Sequence, residues 1–415
     1  MELTLNGERV IAEPREGQSL LELLRDDLGV RSVKDGCAPE GSCGACTVLV
    51  DGRAVVSCAQ KATRVDGKKV VTQEGLPEED RRLWSDCFVM AGASQCGFCS
   101  PGIVMKAEAL LAKNPDPSRE EIAHALLGNL CRCTGYVKIV DAVLLAAGAR
   151  RGEPLPEPDG GGVGARAARY LGPELALGDQ VFVGDMAVPG MLHGALRFSD
   201  HPRARVLRID TSRAEAHPGV VAVVTATDVP GERTQGALTR DWRQFVAEGE
   251  ETACVGDVLA AVAAESRAAA REAAALVEVE YDVLEPVTDP LDERARPLST
   301  SVVRRGDVEA ALGEAAHVVG ETYRTQVIEH AFLEPESALV VPDGDGPVEI
   351  SSQGQGIWDD RRQIASFLGL PEERVHVTHV PTGGAFGGKE DLNVQCHAAL
   401  LAERAKRPVL LTLSR

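Results

Sequence analysis

The chain has 415 residues, 44% hydrophobic and 26% charged, enough for roughly two to four domains with cores of their own. Its net charge of −19 disfavours nucleic acid and anionic membrane surfaces as partners, and no apolar run approaches the roughly 18–20 residues of a membrane span. Nine of the eleven cysteines precede residue 134. The Met1–Gly7 start has no basic or apolar leader, so a reducing, cytoplasmic setting is expected, where clustered cysteines point to metal or redox chemistry more than to disulfides.

Residues 2–12 alternate around Asn6-Gly7, which predicts a hairpin with a type I′ turn. Ser19-Leu20-Leu21-Glu22 is a capping box that opens a short helix with Leu20, Leu21, Leu24 and Leu28 on its apolar face, and Gly29 ends it. A cysteine loop from Cys37 to Cys46 follows, then a second hairpin, Thr47–Val50 and Arg53–Ser57 around Asp51-Gly52. Residues 1–75 therefore form a small α+β domain.

Residues 76–150 predict three or four short helices, a small bundle. Ser100-Pro101 starts one, the capping box Ser118-Arg119-Glu120-Glu121 starts another with Gly128 as its stop, and a last helix runs from about Tyr136 to Ala147. Residues 151–173, with Pro154, Pro156, Pro158 and Gly160-Gly161-Gly162-Val163-Gly164, are a linker. Its chance G-x-G-x-x-A match lacks the preceding strand that a dinucleotide loop requires. Residues 174–295 are mixed α/β, with strands expected at Gln180–Val183, Val220–Thr225, Val258–Ala263 and Leu276–Tyr281 and a helix near Ser266–Ala275. Residues 296–415 continue as α/β. Helices are expected near Asp307–Ala315, Asp359–Leu368 and Asn393–Lys406, and strands near Val318–Tyr323, Ser337–Val341 and Val348–Ser352. His376 and His379 lie in a further strand, and a glycine-rich loop spans Thr382–Lys389.

Two cysteine groups carry the chemistry. Cys37, Cys43, Cys46 and Cys58 are spaced C-x5-C-x2-C-x11-C. Four thiolates suit a [2Fe–2S] cluster, which takes two from the chain per iron, and Gly36, Gly41 and Gly44 let the loop's N–H groups turn toward sulfur. The Asp51-Gly52 hairpin would bring Cys58 back beside Cys46. Cys96, Cys99, Cys131 and Cys133 are spaced C-x2-C-x31-C-x-C, each pair just before a predicted helix N-terminus, which favours an anionic cluster. A structural zinc site is the alternative for either group. Cys87 falls mid-helix without a partner and reads as a small buried hydrophobe. The nine histidines show no ligand spacing. Gly383-x4-Gly388-Lys389 nearly matches a phosphate-binding loop, but Glu390 stands where that loop needs Ser or Thr. A structural glycine turn is the other reading.

Three long motifs make the sequence resemble the molybdenum hydroxylases, the xanthine dehydrogenase and aldehyde oxidoreductase family. They are Gly36-Cys37 with Gly41-Ser42-Cys43-Gly44-Ala45-Cys46-Thr47-Val48, Gln95-Cys96-Gly97-Phe98-Cys99-Ser100-Pro101-Gly102, and Asn129-Leu130-Cys131-Arg132-Cys133-Thr134-Gly135-Tyr136. The resemblance continues through His201-Pro202-Arg203-Ala204-Arg205, Pro218-Gly219-Val220, Glu329–Glu336, Ser352-Gln353-Gly354 and Gly383–Glu390. It implies an α+β multi-domain chain with four parts: a plant-type ferredoxin-like [2Fe–2S] domain, a helical-bundle [2Fe–2S] domain, an α/β hammerhead domain over 174–295, and the first part of an α/β molybdopterin-binding domain over 296–415.

The resemblance also implies roles. The eight cysteines would ligate two [2Fe–2S] clusters, and Gln95 and Cys133 would lie against the pterin on the electron route. Gln353 would hydrogen-bond an oxygen on molybdenum, and Phe386 and Gly387 would border the metal's ligand sphere. Glu390 sits where xanthine-oxidising members place a substrate-binding carboxylate. The implied activity is oxidative hydroxylation of a purine-like heterocycle (xanthine or hypoxanthine) or an aldehyde, with water as oxygen source and electrons leaving singly through the clusters. Two departures shape the expected partners. Only the linker stands where the family has its flavin domain, so no FAD is expected in this chain, and a separate FAD subunit or electron carrier would accept electrons. The molybdenum section ends at Arg415, so a partner chain is expected to share the molybdopterin and to supply the remaining contacts and the general base. The other reading is an electron-transfer iron–sulfur protein, or an incomplete gene product, without molybdenum chemistry of its own.

Overall fold

Asn6 and Gly7 take positive φ, 52° and 91°, as a type I′ turn demands. Across them β1 (Glu2–Leu5) pairs antiparallel with β2 (Glu8–Ile11). The computed structural model describes residues 1–156, 161–165, 167–297, 299–344 and 346–415. The Ser19 capping box opens α1 (Leu20–Glu22), which widens into a π turn over Leu23–Asp27 before Gly29. Asp51 and Gly52 close the second hairpin, β3 (Thr47–Val50) and β4 (Arg53–Val56). Between the hairpins lies β5 (Lys69–Val71), parallel to β1 and antiparallel to β3, giving the order β2-β1-β5-β3-β4. Sequence reasoning missed β5 because three residues are too short to show a period.

The helical section holds α2 (Glu78–Ala91), α3 (Ser100–Leu111), α4 (Arg119–Ala125) and α5 (Val137–Arg150) around Trp84, Phe88, Ile103, Ile139 and Val143. Cys87 is fully buried among them. The cap of α3 is Cys99 rather than Ser100, so the expected start shifts by one residue. Within the linker, Pro158 and Gly160 lie outside the described residues. Its last two positions already belong to α6 (Gly172–Leu177), which packs on α2.

The rest of the chain adds, in order, β6 (Leu192–Phe198), β7 (Ala204–Asp210), α7 (Ser212–Glu215), β8 (Val220–Thr225), β9 (Thr234–Gln235), β10 (Trp242–Arg243), β11 (Val258–Ala264), α8 (Arg267–Ala275) and β12 (Glu278–Val283). Then come α9 (Val308–Glu314), β13 (Ser337–Val341), β14 (Val348–Ser352), α10 (Ile357–Leu368), β15 (Val375–His379), α11 (Gln395–Ala405) and β16 (Val409–Thr412). Seven of these strands form one mixed sheet, β15-β14-β13-β16-β6-β11-β8. All of β11 is buried, which its unbroken Val/Leu/Ala run allows. The sheet crosses the expected border at 295/296, because β16 pairs antiparallel with β13 and parallel with β6. Residues from both sides share one core, Leu192 and Val224 with Val340, Ile364 and Leu401.

Two expected strands do not form. Gln180–Val183 gives way to a 3-10 turn over Val183–Asp185, because Asp185 is drawn into a buried ion cluster with Arg25 and Lys34 at 2.8 and 2.6 Å. Val318–Tyr323 pairs with no strand among the described residues, and Val319 and Tyr323 are 86% and 88% exposed. Local composition alone makes no strand without a cross-strand partner. Among the described residues no helix is long and apolar enough to cross a membrane.

Candidate functional site

The first quartet forms where the Cys37–Cys46 loop meets the end of the second hairpin. All four thiols are buried. Gly41 and Gly44, both at φ 68°, turn backbone N–H groups onto sulfur. Cys43 N donates to Cys37 Sγ at 3.2 Å, Ala45 N to Cys43 Sγ at 3.5 Å and Cys58 N to Cys46 Sγ at 3.4 Å. The last bond confirms that the hairpin returns Cys58 beside Cys46. The thiols also hydrogen-bond one another. Bonds from Cys43 and Cys58 pull Cys37 far down, and a bond from Cys58 brings Cys46 to about 7. Cys43 and Cys58, which hold the shared protons, are pushed up.

The second quartet repeats this pattern. Cys99 caps α3, and Cys131 and Cys133 lie in the loop before α5. The sulfurs of Cys133 and Cys96 are 3.5 Å apart. Bonds from Cys133 and then Cys99 hold Cys131 at about 2, and Cys96 is lowered chiefly by Cys133. Cys99 and Cys133, each bonded to Cys131, are raised. Thiols that share protons within a quartet are a donor set that can exchange those protons for metal. Among the described residues no group of three or more His, Cys, Asp or Glu is placed to hold a single metal ion. Four thiols per quartet match the two thiolates per iron that a [2Fe–2S] cluster takes from the chain.

The quartets are joined directly. Leu130 N, next to Cys131, donates to Cys43 O at 2.8 Å, and the buried Asn129 donates its Nδ2 to Gly44 O at 3.0 Å. Gly44 and Gly102 make this approach possible. A Cβ at Gly44 would collide with Gly128 O and lie 2.7 Å from Asn129 Nδ2; one at Gly102 would collide with Gly44 O.

Among the other expected residues, Gln95 donates its Nε2 to Cys133 O at 3.1 Å, so these two are brought together. Phe386, at φ 58° and 48% exposed, shares a small cavity with all four cysteines of the second quartet and with Leu333 and Gly383. Gly387, at φ 90°, donates its N–H to Gln355 Oε1 at 3.0 Å. Gln353 is buried, donates to Pro335 O and Ser337 O at 2.9 and 3.3 Å, and accepts from Lys389. It is not among the cavity walls. Glu390 is exposed and is not among the residues that line that cavity.

Lys389 rules out the phosphate-loop alternative. Its side chain is 2% exposed and lies 3.4 Å from Glu334 Oε2, 2.9 Å from Glu334 O and 4.6 Å from the Phe332 ring centre. Burial lowers Lys389 and pushes Glu334 up to about 7, which the Lys389 charge opposes. Glu334 Oε2 also accepts from Gly383 N, so this ion pair anchors the glycine loop behind the second quartet. Sequence reasoning gave no role to Leu333 or Glu334. A carboxylate directly after Ala331-Phe332-Leu333 was the available signal.

Four family models match in succession. A 2Fe-2S iron-sulfur cluster binding domain covers residues 3–76 and a [2Fe-2S] binding domain 72–144. The a/b hammerhead domain of aldehyde oxidase and xanthine dehydrogenase covers 177–285, and a molybdopterin cofactor-binding domain 292–415. The aldehyde oxidoreductase of Megalodesulfovibrio gigas is 32% identical over 94% of this chain and 47% of its own length. The nicotinate dehydrogenase small FeS subunit of Eubacterium barkeri is 51% identical over 35% of this chain and 92% of its own length. The solved aldehyde oxidoreductase from Desulfovibrio gigas superposes with a TM-score of 0.90 at 30% identity, covering 100% of this chain and 49% of that one. The chain thus spans about half the length of the full-length relatives it matches.

Proposed function

The chain belongs to the xanthine dehydrogenase and aldehyde oxidoreductase family of molybdenum hydroxylases, and from that premise we propose that it is the iron–sulfur part, with the adjoining portion of the molybdopterin-binding region, of an enzyme that oxidatively hydroxylates a purine-like heterocycle or an aldehyde. The observation that carries this reading is the cavity shared by the second quartet and Phe386 of the glycine loop. It brings the four cysteines of the second quartet beside residues of the section matched by the molybdopterin cofactor-binding model. When bound, the molybdopterin supplies a two-electron oxidation with water as the oxygen source.

Each side chain then has a task. Cys37, Cys43, Cys46 and Cys58 would hold one [2Fe–2S] cluster, and Cys96, Cys99, Cys131 and Cys133 the other. Gln95, bonded to Cys133 O, fixes the loop that faces the pterin. The Leu130 N to Cys43 O bond links the two quartets, so that, with both clusters bound, the two quartets would hold neighbouring one-electron carriers. Lys389 and Glu334 hold the glycine loop in the shape that presents Phe386 and Gly387. Gln353 acts from behind that loop, bracing it through Lys389. Glu390, exposed and beside the loop, orients a purine. A separate chain shares the molybdopterin, and a separate FAD subunit or electron carrier takes the electrons. In nicotinate dehydrogenase of E. barkeri, the iron–sulfur part is itself a small subunit.

The test measures iron, molybdenum, and xanthine and aldehyde turnover, on this chain alone and co-expressed with the product of the adjacent gene. About four irons per chain, with molybdenum and turnover in the co-expressed preparation, is the expected result. Iron without molybdenum in every preparation refutes the hydroxylase reading in favour of an electron-transfer protein. Zinc in place of iron refutes both.

A further inference from the structure

The loop that carries Cys131 and Cys133 contains a hydroxyl aimed at a ligand sulfur. Thr134 Oγ1 lies 3.1 Å from Cys131 Sγ and accepts a hydrogen bond from Tyr136 N at 3.2 Å. A thiolate bound to iron carries no proton, so across the oxygen–sulfur contact only the hydroxyl can donate. With Tyr136 N–H on one of its lone pairs, the hydroxyl directs its hydrogen toward sulfur. Tyr136 is itself fixed: its phenol accepts from Cys131 N at 2.9 Å and donates to Asn129 O at 3.2 Å. Its φ of 69° folds the chain back so that its N–H and its phenol serve the same loop. Thr134 is half-buried, which limits competition from water. Among the described residues it makes the only hydroxyl hydrogen bond to a sulfur of this quartet.

We propose that Thr134 is a potential-setting residue of the second cluster, its hydroxyl holding the reduction potential up by hydrogen-bonding the Cys131 sulfur. One-electron reduction adds one negative charge, part of it on the sulfurs, and makes or breaks no covalent bond. The electron comes from the reductant of the titration or, in turnover, from the oxidised substrate, and the hydroxyl keeps its proton. A charge-assisted bond to sulfur is stronger in the more negative state, so losing it disfavours reduction. The first quartet, on another loop, serves as the internal reference.

The inference rests on the second quartet holding a [2Fe–2S] cluster, and the wild-type protein tests that separately: two distinct reduced-cluster EPR signals and about four irons per chain are the precondition, and their absence defeats the cluster assignment itself. The experiment is an EPR-monitored redox titration of the iron-loaded full chain as wild type, Thr134→Val, Thr134→Ala and Thr134→Ser. Thr134→Val and Thr134→Ala are expected to make reduction of the second cluster about tenfold less favourable, a fall of about 59 mV for one electron. The first cluster's potential stays put, and Thr134→Ser retains the wild-type value. An unchanged second potential in Thr134→Val and Thr134→Ala overturns the proposal, as does an equal fall at both clusters. Loss of the second cluster's iron in both variants, with Thr134→Ser intact, also overturns it, because the hydroxyl would then serve assembly rather than potential.

Discussion

An alanine at Gly44 would place a methyl group where the two cluster domains meet. Three costs add. Gly44 sits at φ 68°, a conformation that costs an L-residue about 1–2 kcal/mol. The new Cβ would overlap Gly128 O and lie 2.7 and 3.0 Å from Asn129 Nδ2 and Cα. The first of these is backbone, so the domains must part. Parting them loosens the Leu130 N–Cys43 O bond at 2.8 Å and the Asn129 Nδ2–Gly44 O bond at 3.0 Å, each worth about 0.5–1.5 kcal/mol. The sum is about 2–5 kcal/mol. Gly41→Ala is the control: it shares the φ of 68°, but its Cβ meets only Ala59 Cβ at 3.2 Å, so about 1–2 kcal/mol of backbone strain remains. Chemical denaturation followed by cluster absorbance, with low-temperature EPR for the magnetic interaction between the clusters, reads both effects. Gly44→Ala should unfold at clearly lower denaturant than Gly41→Ala and weaken the interaction between the clusters. Equal stability of the two variants, with the interaction unchanged, would refute the assignment of Gly44 to the domain contact.

Three further outcomes follow from the buried charges and the glycine loop. Asp185→Asn leaves Arg25 and Lys34 facing each other without their shared anion; about 3–5 kcal/mol of stability and protease resistance around Val183–Asp185 should be lost, and a wild-type denaturation midpoint would contradict this. Glu334 is held at about 7 against its usual 4.5, so the folded state binds its proton more tightly than the unfolded chain does. Its contribution is complete below pH 4.5 and is lost as pH rises toward 7. Glu334→Gln should therefore flatten stability across that window in denaturation midpoints measured at several pH values. Glu390→Val should leave stability within about 0.5 kcal/mol, since the side chain is exposed, yet raise KM for a purine about tenfold or more with aldehyde turnover preserved; unchanged purine kinetics in the complete complex would remove Glu390 from the substrate site.

Much of the protein is written in short-range chemistry. The Asn6-Gly7 and Asp51-Gly52 turns, the Ser19 and Ser118 capping boxes, and the bond from Cys58 N to Cys46 Sγ form as expected, because each depends on partners that are near in sequence or joined by one hairpin. The two cysteine quartets were legible for the same reason: thiol chemistry and spacing identify them without knowledge of the fold. The helices α8, α10 and α11 followed from their periodicity within a residue or two.

What the sequence could not decide lies where distant segments meet. β5 and β16 are strands only because two hairpins, or β6 and β13, offer them edges, and Val318–Tyr323 pairs with no strand among the described residues. Nothing local announces that Lys389, next to a phosphate-loop-like run, turns inward to Glu334 and Gln353 rather than toward a ligand. Nor does the spacing of Cys131 and Cys133 say that Leu333 and Phe386, some 200 residues or more downstream, close the cavity beside them. Residue type and near-neighbour spacing determine which metal chemistry the chain can support; burial and strand pairing, which depend on contacts between remote segments, determine which face of that chemistry meets the rest of the enzyme.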